Sequence, residues 1–363
     1  ELWLELAPQT QIANSEPVIQ RTRTRSMREW SRGDEGVERT LGSMQSEIIG
    51  AAEIACKHDR VTALSLLCQV EEVLQTIVPQ GFSRKLLLQL QLAFKLMIEK
   101  FVDEQIQAIS EHKSGTKRVG VVPIVARLPT LFHLMLQALL NGPPQAKAIE
   151  ILVKAHENLL CSILQWLVNV GSSDPKHRDV FLFENANRLS RSFRALRASW
   201  VEAMASSPLN AGGNDEVSQG LLLCLDQTLS MRDTHLKAYV MSVANYKAQK
   251  LLELIETMER VMQQTGAAEV PYYAGLSLHT IVACVKETFG QPEKTAHGLH
   301  KRLFKHLSKS EGSVNEVWKH VADLLCKRYE KLQEMVTACY KAVLDPSPAT
   351  ISRIMQVPPT QAE

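Results

Sequence analysis

The residues with the most chemistry to offer lie in "HGLHKRLFKH", residues 297 to 306. His297 and His300 share one helical face, a spacing that suits two imidazole ligands on one metal ion. His306 falls six residues beyond His300, which on a helical period turns it elsewhere. No carboxylate stands at a useful spacing, and Lys301, Arg302 and Lys305 would repel a cation. The string therefore reads first as a structural basic face, next as a patch that contacts anions, and last as a metal site.

Other candidates are weaker. Arg21, Arg23, Arg25, Arg28 and Arg32 alternate with Ser and Thr in "RTRTRSMREWSR", with no apolar period. They suit a solvated basic linker, or else a docking tail for acidic lipid headgroups or an acidic partner. Glu71 and Glu72 are neighbours expected on a solvated helix face, not converging across a cleft. His133 and His235 sit beside apolar runs, where a hydrogen-bonded core or boundary imidazole is expected rather than a ligand. The seven cysteines form no C-x-x-C pair. Most fall inside helical apolar patterns as small hydrophobes, which points to a reducing compartment, the cytosol. Gly-rich phosphate loops, a G-x-S-x-G elbow and a cysteine-nucleophile context are all missing, so neither catalysis nor a cofactor is expected. A net charge of +2 argues against nucleic acid as partner.

The elements that would position these groups are helices. Only 6% of the residues are aromatic, and long runs of Leu, Ala, Gln, Lys and Glu favour helix over sheet. From about Leu41, "MQSEIIGAAEIACKH" and "VTALSLLCQVEEVLQTIV" read as two helices around a polar turn at Asp59. A third, from Ser83, carries Leu87, Leu90, Phe94, Met97 and Phe101 at steps of three and four. Further helices are expected in "LPTLFHLMLQALL", in "AKAIEILVKAHENLLCSILQWLVNV", and from "DVFLFENANRLSRSF" to Met204. A stripe of Leu236, Val240, Val243, Leu251, Leu254, Met258 and Val261 marks a helix of about fifty residues, with Lys247 out of pattern. "EVPYYAGLS" ends it, and two shorter helices follow near 278 to 288 and 293 to 309. Val314, Trp318, Val321, Leu325, Leu332 and Val336 mark one more. No stretch of roughly eighteen uninterrupted apolar residues appears, nor a basic-then-apolar leader, so neither a membrane span nor secretion is expected.

The chain is thus expected to be all-α, an elongated rod of consecutive antiparallel helical bundles. The expected divisions are a basic flexible linker over 1–40, a bundle over 41–205, a mobile loop over 206–219, a second bundle over 220–356 and a tail over 357–363. "KRVGVVPIVARLPTLFHLM", residues 117 to 135, interrupts the first bundle. Gly120 can end the long third helix, and Pro123 disfavours helix at Val122, so the backbone must turn there. Val121, Val122, Ile124 and Val125 are expected to be buried at this structural joint; a ligand loop is the second reading.

Several strings carry a resemblance. "ISEHKSGTKRVGVVPIVARLPTL" (109 to 131) is similar to the helix-break-helix signature of the exocyst's Sec-three subunit family, exocyst complex component one, especially its plant-type form. "DVFLFENANRLSRSF" (179 to 193), "EVPYYAGLS" (269 to 277), and the run from Val317-Trp318 to Cys339-Tyr340 resemble further elements of that family in the same order. Ala186 stands where an aromatic is usual, and Lys341 replaces a common proline. The resemblance implies a non-enzymatic rod of the tethering-complex type, working by protein–protein contact. It implies that other exocyst subunits are partners and that secretory vesicles are held at the plasma membrane before fusion. The implied place is the cytoplasm, peripheral to the plasma membrane and sites of secretion. In that family, Rho-type small GTPases and phosphoinositide membranes are bound through an N-terminal module, which the matching strings do not include. The rival readings are a rod subunit of another vesicle tether and a peripheral membrane-surface module using the Arg21–Arg32 run or the Lys301, Arg302, Lys305 patch.

Overall fold

The computed structural model describes residues 34–76, 82–113, 120–140, 146–205, 214–308 and 312–359. These residues are all-α: eleven α-helices and no strand among them. In order they are α1 (Asp34–His58), α2 (Thr62–Thr76), α3 (Phe82–Glu111), α4 (Pro123–Leu140), α5 (Ala146–Ser172) and α6 (Arg178–Ala205). Then come α7 (Asn214–Thr265), α8 (Leu278–Phe289), α9 (Pro292–His306), α10 (Ser313–Tyr340) and α11 (Pro348–Gln356), with a single 3-10 turn at Val270–Tyr272 between α7 and α8. The chain forms two compact units, each assembled from discontinuous segments.

The first unit draws on residues up to His112, Thr130–Ser162 and Trp200–Gly220. Here α3 packs against α1 and α2. Leu90, Phe94, Ile98 and Phe101 of α3 are buried, as are Ala63, Leu64, Leu67 and Cys68 of α2. The polar turn between α1 and α2 is closed by Asp59, whose carboxylate accepts from the Val61 N–H at 3.0 Å and the Thr62 hydroxyl at 2.9 Å. That is the side-chain capping expected of an Asp just ahead of a helix. Arg60 then pairs with Glu104 of α3 at 3.0 Å.

Glu71 departs from its expected place on a solvated face. It is buried, while Glu72 is only half-covered. Its carboxylate accepts from Gln91 Nε2 of α3 at 2.9 Å and from the Ala148 N–H at 3.3 Å. Ala148 lies in the first turn of α5, whose N–H groups have no partner within their own helix. Glu71 thus supplies from α2 a cap that the sequence near Ala146 lacks. Burial, the dominant influence, raises its pKa above the ordinary carboxylate value, against the hydrogen bonds from Gln91 and Ala148 and the charge of Lys147. His133 also departs from expectation: it is exposed on α4, between buried Phe132 and Met135.

The second unit takes in Lys113–Pro129, Ile163–Ser199 and the chain from Leu221 onward. Its largest fully buried side chains are Trp318 and Tyr329, both from α10. The expected α10 stripe holds: Val314, Trp318, Val321, Leu325, Leu332 and Val336 are all buried. After α10 the chain folds back. The Tyr329 hydroxyl donates to the Pro346 carbonyl at 2.7 Å, and Gln333 Oε1 accepts from the Leu344 N–H at 2.8 Å. This seats α11 against α9 and α10. α11, which no apolar stripe announced, buries only Ile351 and Met355. α7 runs for 52 residues but leaves helical geometry at Ala248 (φ −120°, ψ 16°), beside the out-of-pattern Lys247. The buried stripe passes through Ala244 and Ala248 and leaves Lys247 exposed.

Four expectations about helix limits change: α1 opens at Asp34 within the expected 1–40 linker, α7 opens at Asn214 within the expected 206–219 loop, and the limits of α3 and α4 shift. α3 ends at Glu111, ahead of Gly120, and α4 opens at Pro123 rather than near Leu128. Pro123 is therefore a first-turn proline, where its missing N–H costs nothing. α4 continues through Pro129 despite the hydrogen bond lost there. α4 alone among the described helices has the length and apolar composition to cross a membrane. Val125, Leu128, Leu131, Phe132, Met135, Leu136 and Leu139 along it are nonetheless buried, as in a core helix.

Glu71 yields a pH test. A carboxyl with a folded pKa above its unfolded value binds protons more readily when native. Stability therefore falls as pH rises from the ordinary carboxylate range through the raised value. Glu71→Gln keeps one oxygen for the Ala148 N–H and turns its NH2 toward Gln91, whose amide can present its own oxygen in return; we expect it to flatten that slope and leave stability at pH 7 equal or higher. Glu71→Leu should lose about 1–3 kcal/mol, because the Ala148 N–H is left unsatisfied. Urea midpoints measured from pH 4 to pH 8 check both outcomes.

Candidate functional site: a buried clamp and a basic face

The joint at Gly120 is held from outside its own segment. Gly120 adopts φ +102°, a conformation L side chains rarely take, and a Cβ there would lie 3.2 Å from Ser308 Oγ. Its N–H donates to Glu184 Oε2 at 2.9 Å. The Ser308 N–H, just beyond α9, donates to the other oxygen of the same carboxylate at 2.6 Å. The next residue of α6, Asn185, accepts from the Val122 N–H at 2.9 Å and donates to the Gly120 carbonyl at 3.2 Å. Asn185 also donates to the Phe181 carbonyl at 2.8 Å, which fixes its amide. Glu184 and Asn185 are both buried.

These contacts explain how a helix can start at Pro123. The Val122 carbonyl accepts from the Ala126 N–H at 3.1 Å, the first hydrogen bond of α4. Val122 has no side-chain oxygen to cap with; its own N–H is taken up from α6 by Asn185. Two residues further on, Asn187 reaches Ser313 Oγ at 3.4 Å, a longer contact to the start of α10. One polar row on α6 therefore holds the joint, the end of α9 and the start of α10. Of the four valine and isoleucine side chains expected to be buried here, only Val125 is. Val121, Val122 and Ile124 are half-covered, because polar contacts from α6 rather than apolar packing secure the turn.

The basic face has a geometry of its own. Lys301 and Lys305 are exposed on α9, and Arg302 is half-buried. The Arg302 guanidinium lies 4.5 Å from the centre of the Tyr246 ring, and Lys247 Nζ lies 5.1 Å from the same ring. These are cation–π distances. His306 meets His177 edge-on at 5.7 Å, and His177 Nδ1 lies 3.0 Å from Asp174 Oδ2. His306 is held below the usual imidazole pKa by burial first, then by Arg302, His177, Lys305 and Lys176.

The three α9 histidines do not converge. His297 is exposed, while His300 is buried edge-on to Phe304 at 4.9 Å and to Trp318 at 5.2 Å. Burial, then His297, lowers the His300 pKa. No group of three or more His, Cys, Asp or Glu suited to a metal ion occurs among the described residues. His235 does behave as a boundary imidazole, with Nδ1 2.8 Å from Asp179 Oδ1. Arg21, Arg23, Arg25, Arg28 and Arg32 lie outside the described residues, as does 206–213 of the expected loop.

The clamp residues escaped the sequence reading as a site. Their signal was the polar pair Glu184 and Asn185 directly after the apolar run from Val180 to Phe183. Glu184→Ala should cost about 2–3 kcal/mol, since two part-buried N–H donors lose a buried acceptor. Gly120→Ala should cost about 1–2 kcal/mol for its left-handed backbone. Pro123→Ala should stay within a few tenths of a kcal/mol, because the first helical position accepts either residue. Chemical denaturation followed by circular dichroism tests the order; an unchanged midpoint in Glu184→Ala would show that the clamp holds nothing.

A family model described as exocyst complex component Sec3, C-terminal, matches residues 14–342. Among curated proteins, the chain is 22% identical over 309 residues to exocyst complex component SEC3A of Arabidopsis thaliana, covering 85% of this chain and 32% of that protein. It is 22% identical over 304 residues to exocyst complex component 1 of Mus musculus, covering 82% of this chain and 31% of that protein. The chain thus spans about a third of the length of these relatives. No solved structure matches it significantly. With four resembling strings in order and a match running nearly end to end, the chain belongs to the exocyst complex component Sec3 family, in its C-terminal region.

Proposed function

We propose that this chain serves as a structural part of an exocyst subunit and helps tether secretory vesicles to the plasma membrane before fusion, through protein–protein contacts. The family match over residues 14–342 carries this reading. The chemistry of the interior supports it. The buried polar groups Glu71, Glu184 and Asn185 each accept from backbone N–H groups and so act in holding helices together. The chain works without catalysis, in the cytoplasm and at the membrane periphery, with other exocyst subunits as partners.

Small GTPases and phosphoinositides belong to a finer reading, in which the family's N-terminal region binds them and this chain contributes at most salt-sensitive attraction. Lys301, Arg302 and Lys305, with the Arg21–Arg32 run, are the proposed contacts to an anionic surface. A polybasic run near such a surface gains about 1 kcal/mol per charge, and ionic strength screens it.

Tagged chain recovered from cytosol should bring down exocyst components, identified by mass spectrometry. Recovery of a Golgi tether's components in their place would overturn the reading. Sedimentation with acidic liposomes should be weak, indifferent to headgroup and abolished by about 0.5 M salt, where the Debye length falls below 5 Å. Binding that survives salt and prefers one phosphoinositide would move lipid recognition onto this chain.

A further inference from the structure

α3 is apolar on more sides than the first unit covers. Leu90, Phe94, Ile98 and Phe101 face the core, yet Leu88, Leu92 and Leu96 are 47%, 56% and 54% exposed. The exposed three follow one another at steps of four, so they form a continuous ridge along the helix. Charged residues such as Lys95 and Glu99 border the ridge, so it is an exposed apolar strip on an otherwise polar outer face.

The ridge is flanked by recesses within the same unit. One, of about 420 Å³, lies toward α1 between Cys56, Lys57, Leu96, Met97 and Lys100. The other, of about 260 Å³, lies toward α2 and α5 between Leu67, Leu88, Leu92, Lys147, Ile151 and Lys154. A ridge with a groove on each side is the shape that receives another helix, whose own ridges fill the grooves. A bilayer surface offers nothing to fill them.

Charge narrows the occupant. Five lysines line the two recesses (Lys57, Lys95, Lys100, Lys147 and Lys154), against the exposed carboxylates of Glu53, Glu99 and Glu150; Lys95 pairs with Glu99 at 3.8 Å, which leaves four lysines against two carboxylates. Arg60 is already paired with Glu104, and Glu71 is buried beneath. A second copy of this face would bring lysines against lysines. We infer that the Leu88–Leu92–Leu96 ridge of α3 docks an amphipathic helix of a partner protein, one whose apolar stripe is bordered by carboxylates.

The test uses the whole chain and two synthetic helical peptides. Both carry leucines at steps of three and four; one is flanked by glutamates and the other by lysines. Fluorescence anisotropy should show the glutamate-flanked peptide binding, more weakly as salt rises, and the lysine-flanked peptide binding at least tenfold less. Leu92→Asp should cut affinity by about tenfold or more, as truncation of a central interface anchor does. It should leave the melting temperature unchanged, because Leu92 is more than half exposed. Equal binding of the two peptides, no binding of either, or indifference to Leu92→Asp would overturn the inference. So would a Leu92-dependent dimer in sedimentation velocity, or Leu92-dependent uptake onto phosphatidylserine vesicles, each assigning the ridge to a different occupant.

Discussion

A single buried carboxylate organises the second unit. Glu184 takes N–H donors from Gly120 and Ser308, residues 64 and 124 positions away in sequence. A carboxylate with charge-assisted bonds to backbone donors is stabilised in the interior by each of them. The two loops therefore meet on one carboxylate, and losing either removes one of its charge-assisted bonds. Asn185 extends the constraint by fixing Val122 and the Gly120 carbonyl from one amide. The turn before α4 is consequently a property of α6 as much as of its own Gly and Pro.

Much of the architecture was legible because burial imposes the helical period. The stripes on α3, α7 and α10 were readable in that way, and Lys247, which broke the α7 stripe, stands beside the residue where the helix departs from regular geometry. What escaped was polar and non-local. Glu71 looks like any surface glutamate until α5 delivers the Ala148 N–H to it from 77 residues away. Glu184 and Asn185 carried a family resemblance, but their spacing could not disclose that the acceptors faced two distant loops. Pro129 misled for the converse reason: a local penalty of a few kcal/mol for an interior proline was outweighed by the burial of Val125, Leu128, Phe132 and Leu136 on the same helix. Of the basic candidates, Lys301, Arg302 and Lys305 were placed on one helix with His306 by spacing alone; only the fold brings Tyr246 and His177 to them.

The two units handle their polar groups alike. Glu71 in one and Glu184 in the other each cross from one helix to the backbone start or end of another segment. Such bonds fix axial position as well as distance, because a carboxylate reaches one particular N–H and not its neighbour a turn away. Apolar side chains along helix faces tolerate sliding by comparison. Register between helices in this chain is thus set by a handful of buried acceptors, while the leucines, valines and tryptophans supply the bulk of cohesion.

The bend at Ala248 has a mechanical reading. A straight helix of 52 residues spreads bending strain over many equivalent hydrogen bonds, whereas α7 concentrates its departure from ideal geometry at one residue. At that level α9 presents Gly298, and the Lys247 side chain passes so close that a Cβ on Gly298 would sit 3.2 Å from Lys247 Cε. The missing methyl leaves that lysine room to cross α9 at the elbow. Under load along α7, compliance would gather at this elbow, and the arms on either side would turn as stiff levers.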